Sequence, residues 1–357
     1  MGDQETRAIY EEQADRWVAR RKPGQLDRAE AFAQRSAGPT VDLGCGPGWY
    51  SSTLPAPVVA LDFSSAMLEL TKANSPDACR VQADLLLLPF RRNSFACAWA
   101  NHSYLHVASV DLPMALADLH RALRVDGRLM MRVGRGTGEG RRLRENDDFP
   151  GRWFALWDAD HLADIVRGAG FDVERLELES HANHEETIEL EAVRARTLPD
   201  VVGPGMRVLV CGLNPSLYAA DAGIGFARPG NRFWPAALAA GLASVDRDPW
   251  HALRHHGVGF TDLVKRATVA ADELSPDEYR NGLARLERLV SWLEPDVVVF
   301  VGLAGWRAAV RRTAVAGPQA QRVGGRPVYV MPSSSGLNTH SSVDSLVQHL
   351  RAAVALT

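Results

Sequence analysis

No run of apolar residues in this 357-residue chain approaches the ~18 needed to cross a bilayer. Its charged amino-terminal stretch lacks the apolar core of a secretion signal. No membrane partner is therefore expected, and the location expected is cytoplasmic. Cysteine is scarce. Cys45, Cys79, Cys97 and Cys211 stand far apart and form no C-x-x-C pair, so neither a zinc ribbon nor a dithiol redox motif can be written, and no metal is expected. Scattered, unpaired thiols fit a reduced, intracellular protein. Net charge is also low, at -3, which excludes a uniformly basic or acidic surface. What is present, 46% hydrophobic and 23% charged residues, is the make-up of a soluble globular protein with length for two domains.

The charge is unevenly spread. Residues 1–199 hold 24 Lys and Arg against 30 Asp and Glu, a balance of -6, whereas residues 200–357 hold 16 against 13, a balance of +3. The sign changes at Leu198-Pro199-Asp200-Val201-Val202-Gly203-Pro204-Gly205, whose prolines and glycines read as a linker between a domain at 1–197 and one at 206–357. Between Asp296 and Asp344 there is no acid, but Arg307, Arg311, Arg312, Arg322 and Arg326 occur. Such a stretch suits phosphate contacts, although a solvated helix face accounts equally well for the first three.

In the first half, Val41-Asp42-Leu43 runs into the turn Gly44-Cys45-Gly46-Pro47-Gly48, where glycine lets a ligand approach the backbone. The run Val58 to Leu61 ends in Asp62, placed to accept from ribose hydroxyls. Further strand-like runs end in Asp84 and in Asn101-His102, and another covers Arg128 to Val133. Helical segments at Ser65–Lys72 and Leu112–Leu123 lie between, a rhythm that means a parallel, doubly wound sheet. Trp49 stands where a dinucleotide fingerprint wants its third glycine. Arg135 to Arg144, rich in arginine and glycine, reads as a mobile loop that attracts an anionic substrate.

The G-C-G-P-G turn, Asp62 and the segment Gln82 to Phe90 together resemble class I S-adenosylmethionine-dependent methyltransferases over roughly residues 5–196. The resemblance implies a Rossmann-like sheet closed by strands at Phe171–Glu179 and Thr187–Arg196, preceded by a helix at Asp160–Gly170. It also implies S-adenosylmethionine as cofactor, held by Asp42, Gly44, Gly46, Gly48, Asp62, Asp84 and Asn101. Gly44, Gly46 and Gly48 would line the methionine part, Asp62 would hold the ribose and Asp84 the adenine amino group. No residue pattern names the methyl acceptor, and no Asn-Pro-Pro-Tyr signature of base-amino methylation is present. Small molecule and nucleic acid both stay open.

The second half starts with the buried-type run Val208 to Cys211, then Gly212-Leu213-Asn214-Pro215-Ser216. A small-residue loop through Ala219 leads to Phe226, and Asn231 reads as the N-cap of a helix at 231–241. Strands at 257–263, 296–301 and 327–331 and helices at 276–292, 303–311 and 341–354 complete an α/β pattern. The last strand ends in Pro332-Ser333-Ser334-Ser335-Gly336-Leu337-Asn338. Polar loops at the carboxyl ends of buried strands are where open α/β sheets hold ligands.

G-L-N-P-S, F-A-R-P-G-N-R-F-W, G-V-G-F-T-D-L-V and M-P-S-S-S-G-L, in that order, resemble the mismatch-specific uracil-DNA glycosylases and their thymine-DNA glycosylase relatives from about Pro204 onward. The scattered cysteines speak against the iron–sulfur class of uracil-DNA glycosylase. The resemblance implies a uracil-DNA-glycosylase-like α/β/α sandwich acting on double-stranded DNA with G·U or G·T mispairs, with no cofactor. Asn214 would orient the attacking water. Leu213, Ser216, Ala219, Phe226 and Asn231 would form the base pocket, with Phe226 stacking on the flipped base. Ser333, Ser335, Gly336, Leu337 and Asn338 would form the wedge that fills the vacated stack. Asparagine cannot take up a proton, so a largely dissociative reaction is expected. Two departures stand out: Thr339-His340 replace the arginine usual in the bacterial pattern, and Ala219 leaves room for a 5-methyl group. The whole chain reads as a methyltransferase fused to a glycosylase. An alternative makes the methyltransferase the working enzyme and the second domain a DNA-binding module.

Overall fold

The computed structural model describes residues 2–143, 147–180 and 186–357. The chain divides into two compact units, Met1–Arg167 with Phe171–Ala195, and Gly168–Gly170 with Arg196–Thr357.

In unit 1, helices α1 (Gln4–Glu12), α2 (Ala14–Arg20) and α3 (Leu26–Gln34) precede strand β1 (Thr40–Leu43). There follow β2 (Val58–Asp62), α4 (Ser65–Asn74), β3 (Cys79–Gln82), β4 (Phe95–Asn101), α5 (Leu112–Ala122) and β5 (Leu123–Gly134). A two-stranded hairpin, β6 (Glu139–Gly140) with β7 (Phe154–Ala155), leads to α6 (Ala159–Gly168), β8 (Phe171–Ser180) and β9 (Glu186–Arg194). The seven-stranded sheet has the order β3-β2-β1-β4-β5-β9-β8. Its first five strands are parallel, and β9 and β8 close it antiparallel. All four residues of β1 are buried, as a strand covered on both faces requires. Helix α4 starts where Ser64 Oγ accepts from Met67 N.

Unit 2 contains β10 (Val208–Gly212), α7 (Leu217–Ala222), α8 (Phe233–Ala240), α9 (Pro249–His256), β11 (Val258–Asp262) and α10 (Pro276–Leu293). It continues with β12 (Val297–Val301), α11 (Leu303–Ala309), β13 (Gly317–Val323), β14 (Arg326–Met331) and α12 (Val343–Val354). The sheet order is β11-β10-β12-β14-β13, parallel except for β13. β10 and β12 are wholly buried at its centre. Helix α10 begins with Pro276 after Ser275, whose hydroxyl accepts from Glu278 N while the Glu278 carboxylate accepts from Ser275 N. Both units are thus doubly wound α/β folds, as expected. Among the described residues no helix is long and apolar enough to cross a membrane.

Each sheet has one place where neighbouring parallel strands send their connections to opposite sides, opening a crevice at the carboxyl edge. In unit 1 it lies between β1 and β4, and in unit 2 between β10 and β12.

Several local expectations are corrected. The segment 198–205 is no free linker: Leu198, Asp200, Val201 and Val202 are buried in unit 2, and Val201 exchanges backbone hydrogen bonds with Phe260. Asp200 takes Thr261 Oγ1 (2.7 Å), Lys265 Nζ (2.7 Å) and Arg285 Nη1 (2.6 Å), a buried network invisible to a composition count. Ser216 caps the short α7 where an open loop was expected, and α8 starts at Phe233. Edge strand β13 and helix α9 were not anticipated. Because β13 and β14 form a hairpin, Arg322 and Arg326 sit at the amino end of β14, roughly 17 Å along the strand from its carboxyl edge. Arg326 pairs there with Glu294, so these two arginines do not flank Leu337.

Candidate functional sites

In unit 1 a cavity of about 570 Å³ opens at the β1/β4 crevice. Asp42, Gly44, Gly46, Asp62, Asp84 and Asn101 all line it. Gly44 has φ +67°, and a Cβ there would stand 2.5 Å from Ser103 Cβ. Gly46, at φ +55°, faces open space. Gly48 is the exception among the expected residues. It does not line the cavity, and a Cβ on it would meet Thr71 Cγ2 at 2.5 Å, so it serves the contact between the loop and α4.

Asp62 binds the glycine loop to β2, accepting from Gly46 N (2.8 Å) and Ser64 N (2.9 Å). Burial pushes its carboxyl up to about 6 against those hydrogen bonds. Asp42, 2% exposed, accepts from Ser51 Oγ at 2.6 Å, and burial pushes it up to about 7. Asp84 accepts from Leu86 N (2.9 Å) and from the backbone N–H of Gly2. Asn101 Oδ1 accepts from Arg132 at 3.4 Å.

The roof of this cavity was not foreseen. Thr6, Arg7 and Tyr10 of α1 and Trp17 of α2 line it. Asp3 pairs with Arg141, Glu11 accepts from Ser64, Ser65 and Ala66 at the start of α4, and Trp17 stacks on Trp49 with centroids 5.2 Å apart. The segment Arg135–Arg144 is correspondingly less free than expected: Arg135 pairs with Glu186, and Arg141 with Asp3 and Gly151 O. Arg144 lies outside the described residues.

In unit 2 the carboxyl edge gathers the second set. Asn214 follows β10, and its Nδ2 donates to Arg266 O (3.0 Å) and Thr268 Oγ1 (2.7 Å). A carbonyl can only accept, which fixes the orientation of the amide. Oδ1 accepts no hydrogen bond among the described residues and is left for a ligand or water. Phe226, at φ 58°, stacks on Phe233 with centroids 4.3 Å apart, and its ring tip passes Gly212. A Cβ on Gly212 would collide with Asp262 Oδ1 and stand 3.6 Å from Phe226 Cζ. Leu213 borders Gly305, and Ala219 is buried. The side-chain oxygens of two expected base contacts are engaged locally, Ser216 Oγ by Ala219 N (3.2 Å) and Asn231 Oδ1 by Phe233 N (2.9 Å).

Leu337 stands 85% exposed at the tip of its loop. Ser333 Oγ accepts from Ser335 N, Ser335 Oγ from Leu337 N, and Asn338 Nδ2 donates to Ser333 O (2.8 Å) and Ser341 Oγ (3.1 Å). A Cβ on Gly336 would come within 3.0 Å of Gly230 O. Arg232, unnoticed in the sequence, donates to the carbonyls of Ser335 (2.7 Å), Asn338 and Ser341 and so holds the loop in shape.

Asp262 was also missed. It ends β11 in register with Gly212, and the next two amides donate to Gly212 O (3.0 Å) and Leu213 O (2.9 Å). Burial pushes its carboxyl up to about 6, while Lys265 and Arg285 pull it down. The available signal was a carboxylate at the carboxyl end of a strand parallel to the one preceding Asn214.

Comparison with known proteins agrees with this division. Residues 41–131 match the family model of a methyltransferase domain, and residues 199–355 that of the uracil DNA glycosylase superfamily. Among solved structures, the magnesium protoporphyrin IX methyltransferase of Synechocystis PCC 6803, with S-adenosylhomocysteine bound, is 21% identical; the match covers 54% of this chain and 100% of that one, with a TM-score of 0.44. The 1,6-didemethyltoxoflavin-N1-methyltransferase of Burkholderia thailandensis is 18% identical over 53% of this chain and 84% of that one, with a TM-score of 0.42. This protein therefore carries a methyltransferase domain in its first half and a uracil DNA glycosylase superfamily domain in its second.

Proposed function

We propose that unit 1 transfers a methyl group from S-adenosylmethionine, and that unit 2 excises uracil from mispairs with guanine in double-stranded DNA. Thymine is a further substrate of the second reading, since Ala219 presents no hydroxyl towards a 5-methyl group, and 3,N4-ethenocytosine is a third candidate to be tested beside it. The observation that carries the glycosylase reading is the clamped amide of Asn214 at the β10/β12 crevice.

The lining of the first cavity fits S-adenosylmethionine better than a dinucleotide. Gly44 N and Cys45 N donate to Leu61 O, Gly46 N to Asp62, and Gly48 N to Cys45 O. The loop therefore has no spare donors with which to cradle a pyrophosphate. Buried Asp42 and half-buried Asp62, both with raised pKa, instead suit a ligand carrying a positive charge and ribose hydroxyls. Bound there, S-adenosylmethionine supplies an electrophilic methyl group. Asp62→Ala is expected to weaken its binding by about 1.5–3 kcal/mol, the range for hydrogen bonds to a charged group. Titration calorimetry giving equal affinity for both proteins would sink the cofactor assignment.

In unit 2, Phe226 would present the face turned away from Phe233 to a base turned out of the duplex. Asn214 Oδ1 accepts from the water that will attack the sugar carbon. Asp262, ionised at neutral pH, sits one strand away as the carboxylate that asparagine cannot replace, either drawing the water proton or balancing positive charge on the sugar. Leu337 fills the gap in the stack. If it acts in that way, Leu337→Ala should slow excision from duplexes, most from the stable A·U pair, and spare uracil in single strands. An equal fall on both substrates would make Leu337 a packing residue. The direct test of the whole reading is incubation with G·U, G·T and G·ethenocytosine duplexes, with and without S-adenosylmethionine, scored for abasic sites and methyl transfer. Tight duplex binding without excision would favour the DNA-binding-module alternative.

A further inference from the structure

The cavity of unit 1 also contains a hydrogen-bonded chain outside the residues assigned above to the cofactor. Tyr10 Oη lies 2.9 Å from His106 Nε2, and His106 Nδ1 lies 2.6 Å from Trp153 O. The Trp153 carbonyl can only accept, so Nδ1 carries the proton of the neutral ring and Nε2 presents a lone pair. Tyr10 must then donate its hydroxyl proton to Nε2. Arg152 Nη1 donates to the same phenol oxygen at 2.6 Å, while its other nitrogens are held by Asp147 and Phe149 O. Tyr10, His106 and Arg152 all line the cavity, and Tyr10 and His106 are only partly buried. Tyr10 Oη keeps one lone pair for a ligand. Burial raises the Tyr10 phenol, whereas the Arg152 guanidinium lowers it and would stabilise transient negative charge on the oxygen.

The roof bears on the size of what can enter. Besides the Asp3–Arg141 and Glu11 contacts, Trp153 N donates to Thr6 Oγ1 at 2.7 Å, and Arg20 pairs with Asp148 at 2.9 Å. These contacts tie α1 and α2 down over the cavity, a cover less easily shared with a base still attached to a polynucleotide than with a detached molecule.

We infer that the methyl acceptor of unit 1 is a small hydroxyl compound, and that Tyr10 and His106 take up the proton its hydroxyl loses. This rests on the reading of unit 1 as an S-adenosylmethionine-dependent methyltransferase. The acceptor oxygen attacks the methyl carbon and forms the new C–O bond. The S–CH₃ bond breaks with its electron pair passing to sulfur, leaving neutral S-adenosylhomocysteine. The acceptor proton moves to Tyr10 Oη as the Tyr10 proton moves to His106 Nε2, and the resulting imidazolium, still bonded to Trp153 O, releases one proton to water. Atoms and charge balance: the positive charge of the sulfonium leaves as that proton.

The test uses the full chain with tritiated S-adenosylmethionine and three probes of different class: catechol, benzylamine and a short duplex. Calorimetry first measures S-adenosylmethionine binding, and its absence would remove the methyltransferase reading itself. With binding established, label should pass to catechol alone. Tyr10→Phe and His106→Gln should then lower kcat for catechol by roughly 10²-fold, within the range for proton transfer by a positioned group. KM for catechol and the calorimetric affinity for S-adenosylmethionine should change less than about threefold, which a merely structural loss of the roof would not allow. Label passing to benzylamine or to the duplex, no transfer to catechol, or wild-type kcat in both variants would each overturn the inference.

Discussion

Asn214→Ala is expected to slow release of uracil from a G·U duplex by roughly 10²- to 10³-fold in single-turnover experiments, the cost of losing an oriented reactant or a charge-stabilising group. Affinity for a duplex carrying an abasic site should stay within about twofold of the parent, because no strand-gripping residue changes. Among the described residues the side chain makes three hydrogen bonds, to Pro215 O, Arg266 O and Thr268 Oγ1, so little stability depends on it. Asn214→Asp supplies the complementary variant. A carboxylate cannot donate to Arg266 O, so the group would turn and lose its alignment despite its basicity. Ordinary excision by the alanine variant would remove Asn214 from the mechanism.

Asp262→Asn should lower the excision rate by about 10²- to 10⁴-fold, the usual contribution of a positioned acid or base. The pH profile is the sharper measurement. With its carboxyl pushed up to about 6, Asp262 is mostly ionised at pH 7 and mostly protonated at pH 5, so the parent should lose about tenfold in rate between those values. The asparagine variant should be flat over the same interval. The stability effect runs the opposite way. A folded-state pKa above the ordinary carboxylate value means that the folded protein holds the proton more tightly than the unfolded chain. That contribution is complete below about pH 4 and is lost as pH rises through 6. Unit 2 should therefore gain stability from Asp262→Asn at neutral pH while losing activity, a pairing that a simple packing defect would not produce. A variant that kept its rate would show that the carboxylate is only a neighbour of the network around Asp200 and Arg285.

Much of this architecture was legible because it is local. Val297 to Val301 is wholly apolar and β-branched or aromatic, and no other element satisfies such a run as well as a strand covered on both faces. The glycine turn after β1 and Asp62 at the end of β2 declared themselves by spacing, since each lies at the carboxyl end of a strand. Gly48 shows the limit of that reasoning. Its left-handed backbone was foreseeable, but whether the missing side chain made room for a ligand or for Thr71 was not. The amino-end position of Arg322 and Arg326 depended likewise on β13 turning back as an antiparallel edge strand.

Strand cores, the Ser275–Pro276 helix start and the order of the motifs were determined by the amino-acid sequence alone, because apolar period, turn chemistry and backbone restriction act over a few neighbouring residues. The working groups of both sites were decided only by tertiary structure. Thr268 reaches Asn214 across 54 positions, His106 reaches Tyr10 across 96, and Asn338 reaches Arg232 across 106. Asp262 acquires its raised pKa from burial at the carboxyl end of β11, and Asp200 becomes the centre of an ion cluster because Thr261, Lys265 and Arg285 converge on it. The physical reason is common to all of them. Desolvation and hydrogen-bond direction depend on which groups meet in space, and those meetings are fixed by sheet order and register, which no short window of sequence encodes.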